Sequence, residues 1–171
     1  MLVTVFEGGQ GNSDIFGLRP GIDRTAHRLV PEPGSRSSPS VSPDGHWLLY
    51  ASSSGEDAGD QILVRPFPAT TNGLHQATAS RGYQPRWSRD GREIYYLSTA
   101  DSMMAIDVKP GPSFSVGEER ALFALSSPWP LTVTPDGKRF LLDRVTESPV
   151  TRRRFFVVEN LSAALKQMME R

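Results

Sequence analysis

A short sequence recurs three times in this chain at constant spacing. The three copies read VSPDGHWLLY, WSRDGREIYY and VTPDGKRFLL, at residues 41–50, 87–96 and 133–142. Their aspartates are Asp44, Asp90 and Asp136, so both intervals are 46 residues. A constant period of this size indicates a repeat architecture, in which each repeat is one unit of structure. The fold must therefore place the same local feature on successive units.

The centre of each copy is an Asp-Gly pair followed by an apolar run. The glycines are Gly45, Gly91 and Gly137. Glycine accepts a positive φ, and aspartate bonds to backbone just beyond it, so the pair is typical of a tight hairpin turn. We predict a corner that joins the innermost strand of each repeat to its second strand. The six Asp and Gly residues then serve backbone shape rather than chemistry.

Short segments rich in Val, Ile, Leu, Phe, Tyr and Trp lie between turn residues along the whole chain. This pattern predicts about fourteen strands. The predicted strands are 2–8, 13–20, 26–30, 38–42, 46–52, 60–67, 74–78, 84–88, 92–98, 102–108, 120–125, 130–134, 138–144 and 153–160. Four antiparallel strands per repeat are what a β-propeller blade requires, because each sheet buries both faces against its neighbours. The predicted fold is an all-β partial propeller of about three and a half blades.

The predicted boundaries follow from the repeat. The blades are approximately 1–34, 35–79, 80–126 and 127–159, and the first begins inside a blade, without its innermost strand. Residues 160–171 form a predicted short helix. Its apolar residues recur at i, i+4, i+7 and i+8, on one helical face; they are Leu161, Leu165, Met168 and Met169. We expect the C-terminal half of a longer propeller, or copies that associate through open blade edges.

The repeats of the second and third blades resemble the WD40-like β-propeller repeats of the TolB type. The matching residues are Pro39, Ser42, Pro43, Asp44, Gly45, Leu48 and Tyr50, and then Pro85, Trp87, Ser88, Asp90, Gly91, Ile94 and Tyr96. The fourth blade departs, with Thr132 and Thr134 beside Val133 where an aromatic residue and Ser are usual. The C-terminal stretch RRFFVVENLSAALKQ is similar to the segment that closes the sensor region of bacterial receptor-like serine/threonine kinases. The resemblance implies protein or peptide recognition and an extracytoplasmic or periplasmic location.

Composition excludes several classes of partner and site. Lys plus Arg and Asp plus Glu number 19 each, so no net positive charge favours nucleic acid. Cysteine is absent, which removes disulfides and thiolate ligands and leaves the compartment open. No apolar run approaches the roughly 18 to 20 residues that a bilayer span requires. His27, His46 and His75 have no metal-ligand spacing, and we expect surface or turn positions for them.

Motifs of catalysis are incomplete in this chain. GNSDI and GPSFS lack the final glycine of a hydrolase nucleophile elbow, and GQGNSD at 9–14 lacks the third glycine of a phosphate loop. His27-Arg28 lacks the aspartate of a kinase catalytic loop. We therefore predict no catalytic, cofactor-binding or metal-binding residues. Kinase or hydrolase activity would belong to a domain outside this chain.

The predicted function is a non-catalytic recognition or scaffold module. Ligands are usually held by loops on a rigid scaffold, and the variable connections are 53–60, 68–73, 98–102 and 109–118. Trp87 is expected in the core between blades. For Trp47 and Trp129 the sequence is compatible with either a core position or a place on a stacking surface. One alternative is an accessory part of a hydrolase or lyase that uses loop acids; these are Glu56, Asp57, Asp60 and Asp101. Another is a truncated fragment without a function of its own.

Overall fold

The computed structural model describes seven ranges: 2–6, 13–53, 60–109, 113–125, 131–134, 139–144 and 154–158. Within them every regular element is a strand. The fourteen strands are β1 (Leu2–Phe6), β2 (Ser13–Gly17), β3 (His27–Arg28), β4 (Ser35–Val41), β5 (Trp47–Ser53), β6 (Gln61–Pro66), β7 (His75–Gln76), β8 (Gly82–Trp87), β9 (Glu93–Ser98), β10 (Ser102–Lys109), β11 (Ser115–Ala124), β12 (Leu131–Val133), β13 (Phe140–Arg144) and β14 (Arg154–Val158).

The strands form four antiparallel meanders in chain order. β1, β2 and β3 form a three-stranded sheet, β4 to β7 and β8 to β11 form four-stranded sheets, and β12 to β14 form a second three-stranded sheet. We call these sheets blades 1 to 4. Every hydrogen-bonded neighbour is the next strand in sequence, which is the order that hairpin corners impose. The predicted all-β, blade-by-blade fold is confirmed.

The largest differences in extent from the predicted elements are in one strand and the loop before it. β11 begins at Ser115 rather than at residue 120, so the predicted loop 109–118 ends before Ser115. Residues 115–119 contain few apolar side chains, yet they pair with the far end of β10, through register shifts at Met103/Met104 and Ile106/Val108. The bulges allow the ten-residue edge strand to follow β10. The predicted helix at 160–171 lies outside the described residues.

The second strand of each four-stranded blade is buried on both faces. In β5, Leu48 and Tyr50 belong to the core between blades 1 and 2, whereas Leu49 belongs to the core between blades 2 and 3. In β9, Tyr96 faces blade 2, and Tyr95 packs against Phe140 of blade 4. A two-sided strand needs apolar residues at consecutive positions. This explains why the strands read WLLY and EIYYL rather than alternating with polar residues.

The core between blades 2 and 3 contains the largest aromatic cluster among the described residues. Phe114 contacts Trp47 and Trp87, with ring centroids 5.3 and 6.5 Å apart. Trp87 also donates from its indole nitrogen to the Ser40 carbonyl of blade 2, at 3.4 Å. The predicted inter-blade position of Trp87 is confirmed, and Trp47 belongs to the same core. Trp129 lies outside the described residues.

The inner strands β4 and β8 each contain a bulge at the same position, which the repeated sequence motif did not predict. Pairing shifts register between Ser37 and Ser40 in β4 and between Tyr83 and Arg86 in β8. Within these intervals Ser38 and Gln84 have positive φ angles of 55° and 53°. Both precede a proline and lie 46 residues apart. The repeat therefore extends to a backbone irregularity as well as to the corners.

Candidate functional site at the corner end of the blades

The first corner is closed by Ser42 and Asp44 together. The Ser42 hydroxyl donates to Asp44 Oδ1 at 2.5 Å and accepts from the Trp47 backbone N–H at 2.9 Å. The His46 N–H donates to the same carboxylate oxygen at 3.1 Å. Gly45 has a φ of 78°, which an L side chain rarely adopts. Hydroxyl, carboxylate and glycine thus fix one turn.

The second corner repeats the first 46 residues later. Ser88 donates to Asp90 Oδ1 at 2.8 Å and accepts from the Glu93 N–H at 2.9 Å. The Arg92 N–H donates to Asp90 Oδ1 at 3.1 Å. Gly91 has a φ of 71°. The two corners therefore have the same bonds at matching positions.

The flanks of the third corner follow the same pattern. The Arg139 N–H donates to the Thr134 hydroxyl at 3.1 Å, and the Thr134 N–H donates to the Arg139 carbonyl at 2.9 Å. The equivalent backbone bond is 2.8 Å long in both earlier corners. Threonine thus replaces serine without loss of the hydroxyl bond. Asp136 and Gly137 lie outside the described residues.

The corner aspartates are engaged by their own turns. Hydrogen bonds from the serine hydroxyl, and then from the backbone N–H two residues on, lower the pKa of Asp44 and of Asp90. A carboxylate that accepts these bonds is held in its ionised form within the turn. That these residues serve shape rather than chemistry stays a prediction.

Loss of the corner hydroxyl is expected to destabilise the fold without changing its surface. Ser88→Ala leaves the Glu93 N–H without its acceptor, and Thr134→Val does the same to Arg139. We expect each variant to lose about 1 kcal/mol of unfolding free energy. Urea unfolding followed by tryptophan fluorescence measures the loss. A conservative control is Thr134→Ser, which keeps the hydroxyl and should stay closer to wild type than Thr134→Val.

A cleft opens between blades 1 and 2 at the end of the blades that carries these corners, which we call the corner end. It encloses about 730 Å³. The apolar lining comes from both blades and consists of Leu18, Leu29, Val41, Phe67 and Pro68. Polar lining comes from the loop between β2 and β3 and from the start of β3, and consists of Arg19, Asp23 and His27. An apolar floor with a few polar groups is the usual composition of a binding site.

Arg19 and Asp23 form a closed unit at the rim of this cleft. The Arg19 backbone N–H donates to Asp23 Oδ2 at 2.7 Å, and its Nη2 donates to Oδ1 at 2.7 Å. Nε donates to both carboxylate oxygens at 3.1 Å. These bonds, with the Arg19 side-chain bond first, lower the pKa of Asp23 to about 2. The carboxylate is therefore occupied by Arg19 at every physiological pH.

The titration of Asp23 gives a direct check on this unit. The depressed pKa means that the Arg19 contact is fully present above the usual carboxyl range and is lost as pH falls through about 2. We expect the ¹³C shift of the Asp23 carboxyl to titrate near that value. In Arg19→Gln the midpoint should return toward the ordinary aspartate range of about 3.9. An unshifted midpoint in the wild type would contradict the geometry.

The predicted ligand loops contribute unequally to this end of the molecule. Of the range 68–73, Pro68 lines the cleft, but Thr70 is buried and donates to the Leu29 carbonyl of blade 1 at 2.5 Å. This loop of blade 2 is therefore hydrogen-bonded to blade 1 as well as facing the cleft. The turn within 98–102 joins β9 to β10, at the opposite end from the corners. Most of 53–60 lies outside the described residues.

The predicted acids and histidines do not converge on one place. Glu56 and Asp57 lie outside the described residues, Asp60 is half-buried beside β6, and Asp101 is exposed in the β9–β10 turn. His27 is at the cleft, His46 is in the first corner, and His75 packs against Trp47. Within the described ranges no three His, Asp or Glu side chains are placed to hold a metal. The part of the chain that the structure describes also contains no helix of the length and apolar character that a bilayer crossing requires.

The loop between β2 and β3, which sequence reasoning did not single out, supplies the polar rim. Its signal is weak because the first blade lacks the corner motif that marks the others. Pro20-Gly21 and the i, i+4 pair of Arg19 and Asp23 indicate a compact turn. They do not indicate that the turn lies over a neighbouring blade.

Comparisons with known proteins support the fold and leave the family open. No family model and no curated protein sequence matches this chain. Among solved structures, oligogalacturonate lyase from Vibrio parahaemolyticus is similar with a TM-score of 0.53 and 14% identity, over 93% of this chain and 44% of the lyase. A protein from Bacteroides uniformis named as a candidate 6-phosphogluconolactonase gives 0.52 and 16%, over 92% of this chain and 55% of its own.

TolB from Acinetobacter baumannii is also found, with a TM-score of 0.48 and 16% identity, over 92% of this chain and 48% of TolB. The chain thus spans about half the length of the structures it matches, at 44 to 55%. At these identities the likeness concerns the fold alone. Four successive antiparallel sheets packed face to face, together with the similarity to the two structures with TM-scores above 0.5, show that the chain forms part of a β-propeller.

Proposed function

We propose that this chain is a non-catalytic recognition module, and that the cleft between blades 1 and 2 holds an apolar segment of a protein or peptide. The observation that carries the proposal is the cleft itself, an apolar floor contributed by two blades under a polar rim. Its walls are held by the buried core between these blades, which includes Ile15, Leu48 and Tyr50. A preformed apolar site on a rigid scaffold binds with little cost of ordering.

The alternative of an accessory part of a hydrolase or lyase needs reactive side chains at a ligand site. The carboxylate at the cleft is that of Asp23, which accepts four hydrogen bonds from Arg19. Such a carboxylate is a poor general base, because its pKa is lowered to about 2. The cleft therefore supports binding better than catalysis.

A displayed peptide library, selected on the immobilised protein, tests the proposal. Selected peptides are synthesised with a fluorescein label, and their affinities are measured by polarisation. Leu18→Glu places a charge in the apolar lining, and we expect about a tenfold or greater loss of affinity. The matched control is Leu74→Glu, because Leu74 is 52% exposed and does not line the cleft. Equal losses in both variants, or no selected peptide at all, would contradict the proposal.

The proposal extends to the setting of the protein. The resemblance of the repeats to the TolB type, and of the C-terminal stretch to bacterial receptor-like serine/threonine kinases, favours an extracytoplasmic sensor or an envelope protein. Fractionation of the source cells with an antibody raised against this chain tests this part. We expect the antigen in the envelope or periplasmic fraction, and recovery in the cytoplasm alone would contradict it.

A further inference from the structure

We infer that the cleft selects peptides in which the apolar anchor residue stands next to an acidic side chain. The inference rests on the proposed function and adds the chemistry of the partner. It is carried by the charges around the cleft and by the way in which one arginine is held at its rim. Both are independent of the apolar lining.

The loop of blade 1 at the rim of the cleft carries more positive than negative charge. Arg19 and Arg24 lie in this loop between β2 and β3, where Asp23 is the one carboxylate. Arg28, in β3, and the buried Arg36 both bind Asp14, at 2.6 and 3.2 Å, and these three residues do not line the cleft. The rim loop therefore presents two arginines against one aspartate. The excess attracts an acidic partner and repels a basic one.

Arg19 is oriented before any ligand arrives. Asp23 holds its backbone N–H, Nε and Nη2, and Nη1 donates in none of these bonds. The guanidinium is a rigid planar fork, so fixing one edge also fixes the direction of the remaining donor. The side chain is 71% exposed, and it lines the cleft. When a ligand carboxylate binds Nη1, little of the entropy that is usually lost on ordering an arginine side chain remains to be lost.

The neighbouring residues of this loop extend the same surface. Ile22 is 71% exposed and lies between Arg19 and Arg24, and Arg24 is itself exposed. Apolar and basic groups thus alternate along one turn beside an apolar floor. A peptide that places an apolar side chain in the floor has its next residue at this basic rim. A glutamate or aspartate at that position is the complementary choice.

A double-mutant cycle between protein and peptide tests the inference. Each selected peptide is made in two labelled, amidated versions, with Glu or Gln next to the apolar anchor. We expect wild type to bind the Glu version about fivefold more tightly, which is the range of a charge pair at an exposed rim. Arg19→Gln should abolish this preference, with little effect on the affinity of the Gln version. The preference should also shrink as ionic strength rises.

Two further variants keep the test decisive. Arg24→Gln reduces the charge without breaking the Arg19–Asp23 unit and should weaken the preference, whereas Arg92→Gln, at the corner of blade 3, should leave it unchanged. Selection of peptides without acidic residues, or equal affinity of the Glu and Gln versions, would overturn the inference. If affinity still depends on Leu18 in that case, the proposed function survives. A dimer that Leu18→Glu converts to monomer would instead mean that a second copy fills the cleft, and it would overturn the inference as well.

Discussion

Replacing Tyr96 with alanine is expected to lower the free energy of unfolding by about 4 kcal/mol, among the largest effects of any single substitution in this chain. Tyr96 is 0% exposed and lies in the core between blades 2 and 3. Its ring also covers Gly82, where an added Cβ would meet Tyr96 Cε2 at 2.8 Å and the Leu97 carbonyl oxygen. Alanine leaves a cavity between two rigid sheets that cannot close over it. Urea denaturation followed by tryptophan fluorescence measures the loss.

Two controls distinguish the stability contributed by the Tyr96 ring from that of its hydroxyl, and from the effect of removing a tyrosine elsewhere. Tyr96→Phe removes the bond from the hydroxyl to Glu119 Oε2, which is 2.9 Å long, and should cost about 1 kcal/mol. Glu119 keeps the N–H groups of Ala79 and Ser80 as donors in that variant. Tyr83→Ala removes a tyrosine that is 36% exposed and should cost much less than Tyr96→Ala. Equal losses for Tyr83→Ala and Tyr96→Ala would contradict the packing of blade 2 on blade 3.

Replacing Arg36 with methionine is expected to lower the free energy of unfolding by about 3 kcal/mol. The Arg36 side chain is 3% exposed and bonds to Asp14 Oδ1 of blade 1 at 3.2 Å. It also donates to the carbonyl oxygens of Gly34 and Pro33, at 2.9 and 3.2 Å. Methionine keeps an apolar stem but removes the donor from Asp14 Oδ1 and from the two partly buried carbonyls, so that Asp14 keeps only Arg28, at 2.6 Å. The same urea titration measures the effect.

The double variant Arg36→Met with Asp14→Leu distinguishes a broken charge pair from lost packing. If the loss in Arg36→Met comes from the Asp14 carboxylate, which is then left with only the half-exposed Arg28, removal of that carboxylate should restore part of the stability. Arg28 loses its partner as well, but it is 43% exposed and can be solvated. A double variant that loses the full sum of both single effects would show instead that the two side chains stabilise the fold separately.

The strands of this protein could be predicted from the sequence because their signals are local. The corners mark where one strand ends and the next begins, and the apolar runs WLLY and EIYYL mark strands with two buried faces. Residues 115–119 carry no such signal, since Gly117 and Glu118 read as loop, and it is pairing with β10 that makes them strand. Local pattern therefore located the inner strands well and the outer edge poorly.

The cleft could not be predicted, because its parts come from distant segments. Val41, Phe67 and Leu29 look like ordinary strand or loop residues, and only the packing of blade 1 on blade 2 brings them together. The hydrogen bonds of the corner residues were easier to predict than the cleft, because an Asp-Gly turn and a serine two residues earlier make their contacts within six residues. The substitution of Thr134 for serine keeps the hydroxyl, which is the group that the corner uses.

The central claim is that residues 46 apart occupy equivalent places in successive sheets. A nuclear Overhauser spectrum of the isotope-labelled protein tests it most directly through contacts between blades. We predict cross-peaks between the rings of Tyr95 and Phe140, whose centroids are 5.2 Å apart, and between Trp47 and Phe114, at 5.3 Å. The amides of Trp47, Glu93 and Arg139 should exchange slowly, because each donates to a corner hydroxyl. Absence of the Tyr95–Phe140 cross-peaks, with fast exchange at Arg139, would contradict the account.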